Sequence, residues 1–594
     1  MLRPLAQVLP GPQHRQIISS VMKRKLAQSA CASRFPPSAR LRPNNAMAAD
    51  ASTIQLQLTE RERQLRDLLI DVSKFININD QLPEPLILRW AGGWVRDKLL
   101  GTTSHDIDVA INVMTGLRFG ERLREYCDVP ELASRHGIEP DDIGNLHRIA
   151  ANPEKSKNLE TTTVKVFGLD LDFVNLRTET YAEDSRNPAI DFGTAEEDAL
   201  RRDATVNALF FNLHTERVED FTGGLADMRD RLIRTPLEPF QTFMDDPLRV
   251  LRLVRFASRL GFAIDPAARD VMADPNVLAA LRIKISRERV GVELEKMMKG
   301  HDPHRALQLI DELGLHHAIY TDTARADIPH PMLSKWHIAY GLLRLLERSK
   351  APGSIHDVLV RTDEDVYHSW MLASLVPYAH LTDPRADALN RGRPSLPLAT
   401  TVAREGARVP NKLCDVITAA HRNHSEILGL KRDVCAGREI GSQRDTLGMT
   451  IRKWESRESH WKLQVLSTIL LDAMDHLPDF DINKGGLNTY VRFFLSRKLT
   501  LDPVSRECHD LLSGWQTFLD HLTDEGLMDV TSIKRLVDGK CLGKHLGLKP
   551  GKWMGAALEV CLAWQLRHPE ATDPTGAIEE VRKRKHELRI DGLS

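Results

Sequence analysis

No aspartate or glutamate occurs in the first 49 residues, although the whole chain is nearly balanced, with 81 Lys plus Arg against 82 Asp plus Glu. That stretch carries Arg3, Arg15, Lys23, Arg24, Lys25, Arg34, Arg40 and Arg42 among Ser, Ala and Pro. An acid-poor, Arg- and Ser-containing leader has the composition of a mitochondrial transit peptide, with a disordered basic tail as the alternative. Met47 follows all eight basic residues, so a product begun there would lack the signal and be cytoplasmic and nuclear. Removing residues 1–46 takes away those eight charges and shifts the net charge from −1 to −9. Any nucleic-acid partner must then be held by local basic surfaces rather than by the global field.

Other absences narrow the class further. No apolar run approaches the ~20 residues of a membrane helix, so no membrane partner is expected. The seven cysteines include no C-x-x-C pair, which argues against a structural zinc site and a disulfide framework and fits a reducing compartment. With 42% apolar and 27% charged residues in 594, the length prior is roughly four domains of ordinary composition.

What is present is concentrated in AGGWVRDKLLGTTSHDIDVAI, Ala91 to Ile111. Apolar Leu86 to Leu88 runs into Ala91 as a buried strand, Gly92 and Gly93 break it, and WVRDKLLG has helical spacing. In the strand that follows, Asp106 and Asp108 must share a face because side chains alternate. Two like charges so close call for a divalent cation between them, beside a glycine turn whose bare amides suit a phosphate. Thr162 to Glu179 alternates as two strands turned at Gly168, and Tyr181 to Gly193 reads as an acidic mobile loop. Asp198 to Asn212 changes from helix-like to strand-like; Asp220 to Thr235 reads as strand, Gly223-Gly224 turn and short helix. Beyond Phe240 the periodicity is helical nearly to the end, with a loop or hinge at Asp383 to Pro397.

Three further segments carry chemistry. In RRD-x-x-x-NA, Arg201 or Arg202 can neutralise phosphate, while Asp203 and Asn207, at helical spacing, can position a ribose; a capping network is the alternative. In DDPLRVLRLVRFASRLGF, Val250, Leu251, Leu253, Val254, Ala257 and Leu260 form one face and Arg249, Arg252, Arg255 and Arg259 the other. Asp246 before Pro247 fits a helix start, which leaves Asp245 and the arginine stripe unexplained. Asp172 lies on a strand predicted beside Asp106 and Asp108, either as a third carboxylate or as a solvent-facing strand residue.

GG-x-V-R-D, then DID, RRD-x-x-x-NA, DDPLRVLR and RERVGVELEKM, in that order from Gly92 to about Met297, resemble the nucleotidyltransferase superfamily that includes DNA polymerase beta. Within it they resemble the eukaryotic class II tRNA nucleotidyltransferases, the CCA-adding enzymes. The resemblance implies an α+β chain: a leader (1–49), a mixed-sheet catalytic head (50–235), a helical neck (236–325), and a helical body and tail (326–594). It implies two Mg²⁺ ions on Asp106 and Asp108, with Asp172 as a possible third catalytic carboxylate. Gly92, Gly93 and Arg96 would cradle phosphate, although Arg96 with Asp97 could instead form a structural ion pair. Arg202, Asp203 and Asn207 would contact the nucleotide, and Asp245, Asp246, Arg249 and Arg252 would face its base, with Asp246 and Arg249 as the reading pair. Arg287, Arg289 and Glu293 would buttress that helix. The partners implied are the tRNA 3′ end with its acceptor arm, CTP and ATP, taken up by a monomer. Lys549 and Lys552 around Pro550-Gly551, read as a helix start, are candidate RNA contacts; the alternative is a solvated helix start with Trp553 and Trp564 in the core. Aromatics at 6% favour shape and backbone recognition of RNA over stacking. A poly(A) polymerase or a CC-only or A-only enzyme would share these motifs; a catalytically dead tRNA chaperone would not need paired carboxylates. The His356-Asp357 dipeptide lacks the partners of a phosphohydrolase site and is read as chance.

Overall fold

The computed structural model describes residues 55–590 apart from 105, 140–141, 150–160, 181–188, 326, 350, 386–394, 439–442, 456–458 and 480–502. The basic leader, the first part (181–188) of the expected loop at 181–193 and the middle (386–394) of that at 383–397 lie outside the described residues.

Helix α1 (Glu60–Asn79) starts at a capping box in which Thr59 and Glu62 satisfy each other's backbone N–H groups. Strand β1 (Leu88–Ala91) ends at Gly92, whose φ of +66° an L side chain rarely adopts. Helix α2 (Gly93–Leu99) and strand β2 (Asp106–Ile111) complete the expected strand–turn–helix–strand unit. Helix α3 (Gly116–Cys127) then leads to β3 (His147–Ile149), β4 (Thr161–Val166) and β5 (Leu169–Asn175). Gly168 turns β4 into β5 as expected. Strands β6 (Arg177–Thr180) and β7 (Ala189–Phe192) pair antiparallel, so the loop expected up to Gly193 is a strand over its last part. Helix α4 (Ala195–Leu200), β8 (Leu209–Asn212), β9 (Arg217–Asp220) and α5 (Gly224–Asp230) finish the head. At the second glycine pair a Cβ on Gly224 would meet the Thr205 carbonyl oxygen at 2.3 Å, so that turn packs directly on the RRD segment.

The seven-stranded sheet has the order β3-β4-β5-β2-β1-β8-β9. All its pairs are antiparallel except β2 with β5, which sets Asp106 opposite Asp170 and Asp108 opposite Asp172. One face carries a large core under α1 and α3, including Trp90, Trp94, Phe119, Phe173 and Phe211. The other is lined chiefly by small side chains, Ala91 and Ala110 on the strands meeting Ala195 and Ala199 of α4, with Ala208 and Phe210. Because side chains alternate, Asp106, Asp108 and Asp172 stand on this second face.

Helices α6 (Pro239–Asp245), α7 (Leu248–Leu260) and α8 (Arg287–Met298) follow. One apolar core runs from Ala204 and Val206 of the head through α7 and α8 to Leu566, and a separate small cluster from Val537 to Ile590 holds the tail. This is the expected α+β architecture, apart from a two-residue parallel strand pair at Ala263–Ile264 within the helical part. The tail corrects one expectation. Its helix spans Met554–Arg567, so Pro550 and Gly551 precede it and Lys549 and Lys552 flank a turn rather than a helix N-terminus. The Trp553 ring lies over Gly551, 2.9 Å from where a Cβ would stand, and both Trp553 and Trp564 are only partly buried against the tail cluster.

Candidate active site

The parallel β2–β5 register gathers acids that are separate in sequence. Asp106 is exposed, while Asp108 and Asp172 are partly buried side by side. Burial first, then the neighbouring charges of Asp108, Asp106 and Asp170, push the Asp172 carboxyl up to about 6. Asp108 is also raised, by burial together with Asp106 and Asp198 and against the pull of Arg202. Carboxylates that repel each other on one open face fit a divalent cation. Among the described residues no three His, Cys, Asp or Glu side chains converge as a closed metal cage. An open acidic pair suits an ion that keeps places for water and substrate phosphate.

Gly92 adjoins this pair. A Cβ there would stand 2.8 Å from Arg202 Nη1 and 3.6 Å from Asp108 Oδ2, so only glycine lets the guanidinium and the carboxylate flank the turn. Arg202 is aimed by Asp198, which accepts from its Nε at 3.1 Å, and by the Asn207 carbonyl, which accepts from Nη1 at 3.0 Å. Asp198 also accepts from Arg201 Nε at 3.0 Å, and Glu179 receives both Arg201 Nη1 and Arg177 Nε, at 3.2 and 2.7 Å.

A continuous polar chain runs from the head into α7. Arg259 Nη2 donates to Asp97 Oδ2 at 3.0 Å, and Asp97 Oδ1 accepts from Arg96 Nε at 2.8 Å. Arg96 Nη1 donates to Asn207 Oδ1, and Asn207 Nδ2 to Asp203 Oδ1 at 3.1 Å. Asp203 Oδ2 accepts from Arg252 Nε at 2.6 Å, and Glu293 of α8 takes Arg252 Nη1 at 3.4 Å and Arg255 Nε at 2.6 Å. Burial raises the Asp203 carboxyl, but the Arg252 guanidinium and the Asn207 amide outweigh it and hold the group at about 2. Asp203 is therefore a permanent anion that ties the RRD segment to α7.

One sequence expectation changes here, and a second gains its surroundings. Arg96 is only 3% exposed and shared between Asp97 and Asn207, so the ion-pair alternative describes it and it supports the phosphate turn from behind. Asp246 and Arg249 meet only through the backbone, the Arg249 N–H donating to the Asp246 carbonyl at 3.0 Å, and their side chains have separate partners. Asp246 Oδ1 accepts the Leu248 N–H at 3.2 Å and its Oδ2 takes Arg289 at 3.1 Å, while Arg249 Nη2 donates to the Arg201 carbonyl at 2.6 Å.

Comparison with known proteins agrees with this geometry. The family described as "Poly A polymerase head domain" matches residues 88–234, and that described as "Probable RNA and SrmB- binding site of polymerase A" matches 261–326. The nucleotidyltransferase lcsQ of Purpureocillium lilacinum is 55% identical over 564 residues, covering 91% of this chain and 94% of the relative. The mitochondrial CCA tRNA nucleotidyltransferase of Saccharomyces cerevisiae is 36% identical over 540 residues, covering 87% and 92%. The chain belongs to the CCA-adding tRNA nucleotidyltransferases. Their fold is shared by the solved Thermotoga maritima CCA-adding enzyme complexed with tRNA, at a TM-score of 0.54, 17% identity and coverage of 88% and 96%.

Nucleotidyltransferases of this superfamily generally use divalent metal ions, which suits the acidic face on β2 and β5. Within this CCA-adding family member, sequence reading passed over Asp198, Glu179 and Arg177. Asp198 was detectable, because Arg201 and Arg202 follow it at three and four residues, the spacing of facing side chains on a helix. Asp245 sits at the end of α6, where its carboxylate accepts from Gln241 Nε2 at 2.6 Å. His356-Asp357 is a turn device, the Asp357 carboxylate accepting the Gly353 N–H at 2.9 Å.

Proposed function

We propose that this chain adds C, C and A in turn to the 3′ end of tRNA from CTP and ATP, releasing pyrophosphate and using no nucleic-acid template. The observation that carries the reading is the joining of an acidic face beside a glycine turn, on the head, to an Asp- and Arg-bearing helix in the neck. Asp106 and Asp108, with Asp172 beside them, would hold two Mg²⁺ ions, which lower the pKa of the ribose 3′-hydroxyl and stabilise the leaving pyrophosphate. The Gly93 amide and the Arg202 guanidinium bind the triphosphate, the Gly92 N–H being held by the Leu209 carbonyl at 3.1 Å so that Gly92 serves only the close approach, and Asp203 and Asn207 position the ribose. Between Ile533 and Ile590 twelve Lys or Arg stand against seven Asp or Glu, including Lys549 and Lys552, so this otherwise acidic protein offers local positive charge to the RNA backbone. The test is incubation with tRNA ending before C, after C and after CC, with each labelled nucleotide in turn. Sequential C, C and A supports the reading; addition of C alone, of A alone or of a long A run identifies a partial-adding enzyme or a poly(A) polymerase.

Base choice follows from hydrogen-bond patterns. Cytosine and adenine each present an amine donor beside a ring-nitrogen acceptor, whereas uracil and guanine present a carbonyl beside a ring N–H. A carboxylate and a guanidinium at fixed spacing satisfy the first pattern and oppose the second. Asp246 and Arg249, each oriented by a partner from another element, supply them. Arg249→Ala is expected to raise UTP incorporation relative to CTP by about tenfold, from the ~1–3 kcal/mol cost of an unpaired buried polar group. Four-nucleotide incorporation assays measure this, and unchanged selectivity would move base reading elsewhere.

The leader is read as mitochondrial, in keeping with the name of the yeast relative. Residues 1–46 fused to a fluorescent reporter are expected to direct it to mitochondria, while the product begun at Met47 stays in the cytoplasm and nucleus. Equal distribution of the two would reject the assignment.

A further inference from the structure

The geometry points to Asp97 and Arg259 as a positioning pair that fixes the angle between the phosphate turn and the base-reading helix. The inference rests on base reading by Asp246 and Arg249. Helix α7 is an uninterrupted helix from Leu248 to Leu260, with Arg249 at its reading end, Arg252 about 4.5 Å further along and Arg259 about 10 Å beyond that. Arg252 is fastened to Asp203 at 2.6 Å and Arg259 to Asp97 at 3.0 Å. With Arg249 held by the Arg201 carbonyl at 2.6 Å, the two anchors near the reading end lie within one helical turn, and Arg259 is the distant one with the leverage to set the angle to the head.

Asp97 is suited to be the far anchor because it belongs to the catalytic unit itself. It lies on α2, the helix that starts at the glycine turn. Its carbonyl also accepts from the Thr102 backbone N–H at 2.9 Å and the Thr102 hydroxyl at 3.0 Å, which fixes the chain on its way to Asp106. Any tilt of α2 therefore moves turn and acids together, and Arg259 passes that position to α7. The pair is 162 residues apart in sequence. Neither side chain need touch the nucleotide. Because the base is read at one end of α7 and the triphosphate is held at the turn before α2, the stiffness of this angle bears directly on selectivity.

Arg259 is half exposed, with 48% of its side chain accessible, and can be changed without opening a buried space. Arg259→Ala is expected to fold with an unchanged melting temperature, to lower kcat for CTP and ATP by about tenfold with KM within about twofold, and to reduce discrimination against UTP by about fivefold. Arg259→Lys, which keeps a donor, should recover most of both. Raising salt from about 0.05 to about 0.5 M should erode the discrimination of the unaltered protein towards that of Arg259→Ala and leave the variant flat, because an exposed pair is screened. Ratios between nucleotides on the same tRNA cancel the salt dependence of RNA binding. Unchanged kcat and discrimination in Arg259→Ala, or a rise in KM alone, would overturn the proposal. If Arg249→Ala also keeps full selectivity, the base-reading assignment fails; if Arg249→Ala relaxes it and Arg259→Ala does not, only the positioning pair fails.

Discussion

Asp106→Ala and Asp108→Ala are each expected to abolish nucleotide incorporation while tRNA binding, measured by gel shift, stays nearly unchanged. The acids stand on the sheet face by the glycine turn, whereas the excess positive charge lies in the tail. Both variants should fold, and Asp108→Ala should be at least as stable as the parent, because burial and neighbouring acids already disfavour that charge in the folded protein. Loss of function without loss of stability is what separates a metal-holding role from a structural one. A rate retained within about tenfold, roughly 1.4 kcal/mol of barrier, would remove the assignment.

Asp203→Ala is expected to act on stability as well as on catalysis. It leaves the Arg252 guanidinium with only the longer contact to Glu293 and strips Asn207 of its acceptor. Removing one partner of a fully buried ion pair costs about 3–5 kcal/mol; with the Arg252 side chain 34% exposed the cost here is smaller, and should appear as a fall of a few degrees in melting temperature. The pH dependence has a defined sign. The folded carboxyl sits near 2 and the unfolded one near ~3.9, so its stabilising effect is full above the unfolded value and is lost as pH falls through the folded one. The variant and parent should therefore converge in stability on acidification across that window. Calorimetry showing equal melting at neutral pH would mean that the chain through Asp203 carries no net stabilisation.

Local signals were legible in the sequence because they obey short-range rules. The break at Gly92, the alternation of Asp106 and Asp108 and the turn at Gly168 need only neighbours a few residues away. What joins them is tertiary. Asp172 was expected on a strand beside Asp106 and Asp108, but the parallel register that sets it opposite Asp108 is one that alternation alone cannot specify. Spacing on one helix set Asp246 and Arg249 at a fixed offset, but the partners that orient them, Arg289 of α8 and the Arg201 backbone carbonyl, lie elsewhere in the chain. The arginine stripe of α7 was visible as a polar face, but not its partners: Arg249 is buried and Arg252 and Arg259 reach acids of the head. At Pro550 a sequence cue for a helix start was overridden by a turn through Gly551, with helix beginning only at Met554.

The two faces of the sheet should differ in how they tolerate mutation. On the aromatic side, exchanges among Leu, Ile, Met and Phe can be absorbed by repacking over a broad interior. On the catalytic side, Ala91, Ala110, Ala195, Ala199 and Ala208 let α4 lie close to the strands, and α4 leads directly into Arg201 and Arg202. A single added methylene there would lift the helix and with it the phosphate-binding arginine, so size rather than polarity is the constrained property. Random mutagenesis under selection for activity should therefore recover many apolar alternatives at Phe119 or Phe211 and almost none larger than serine at Ala195 or Ala199.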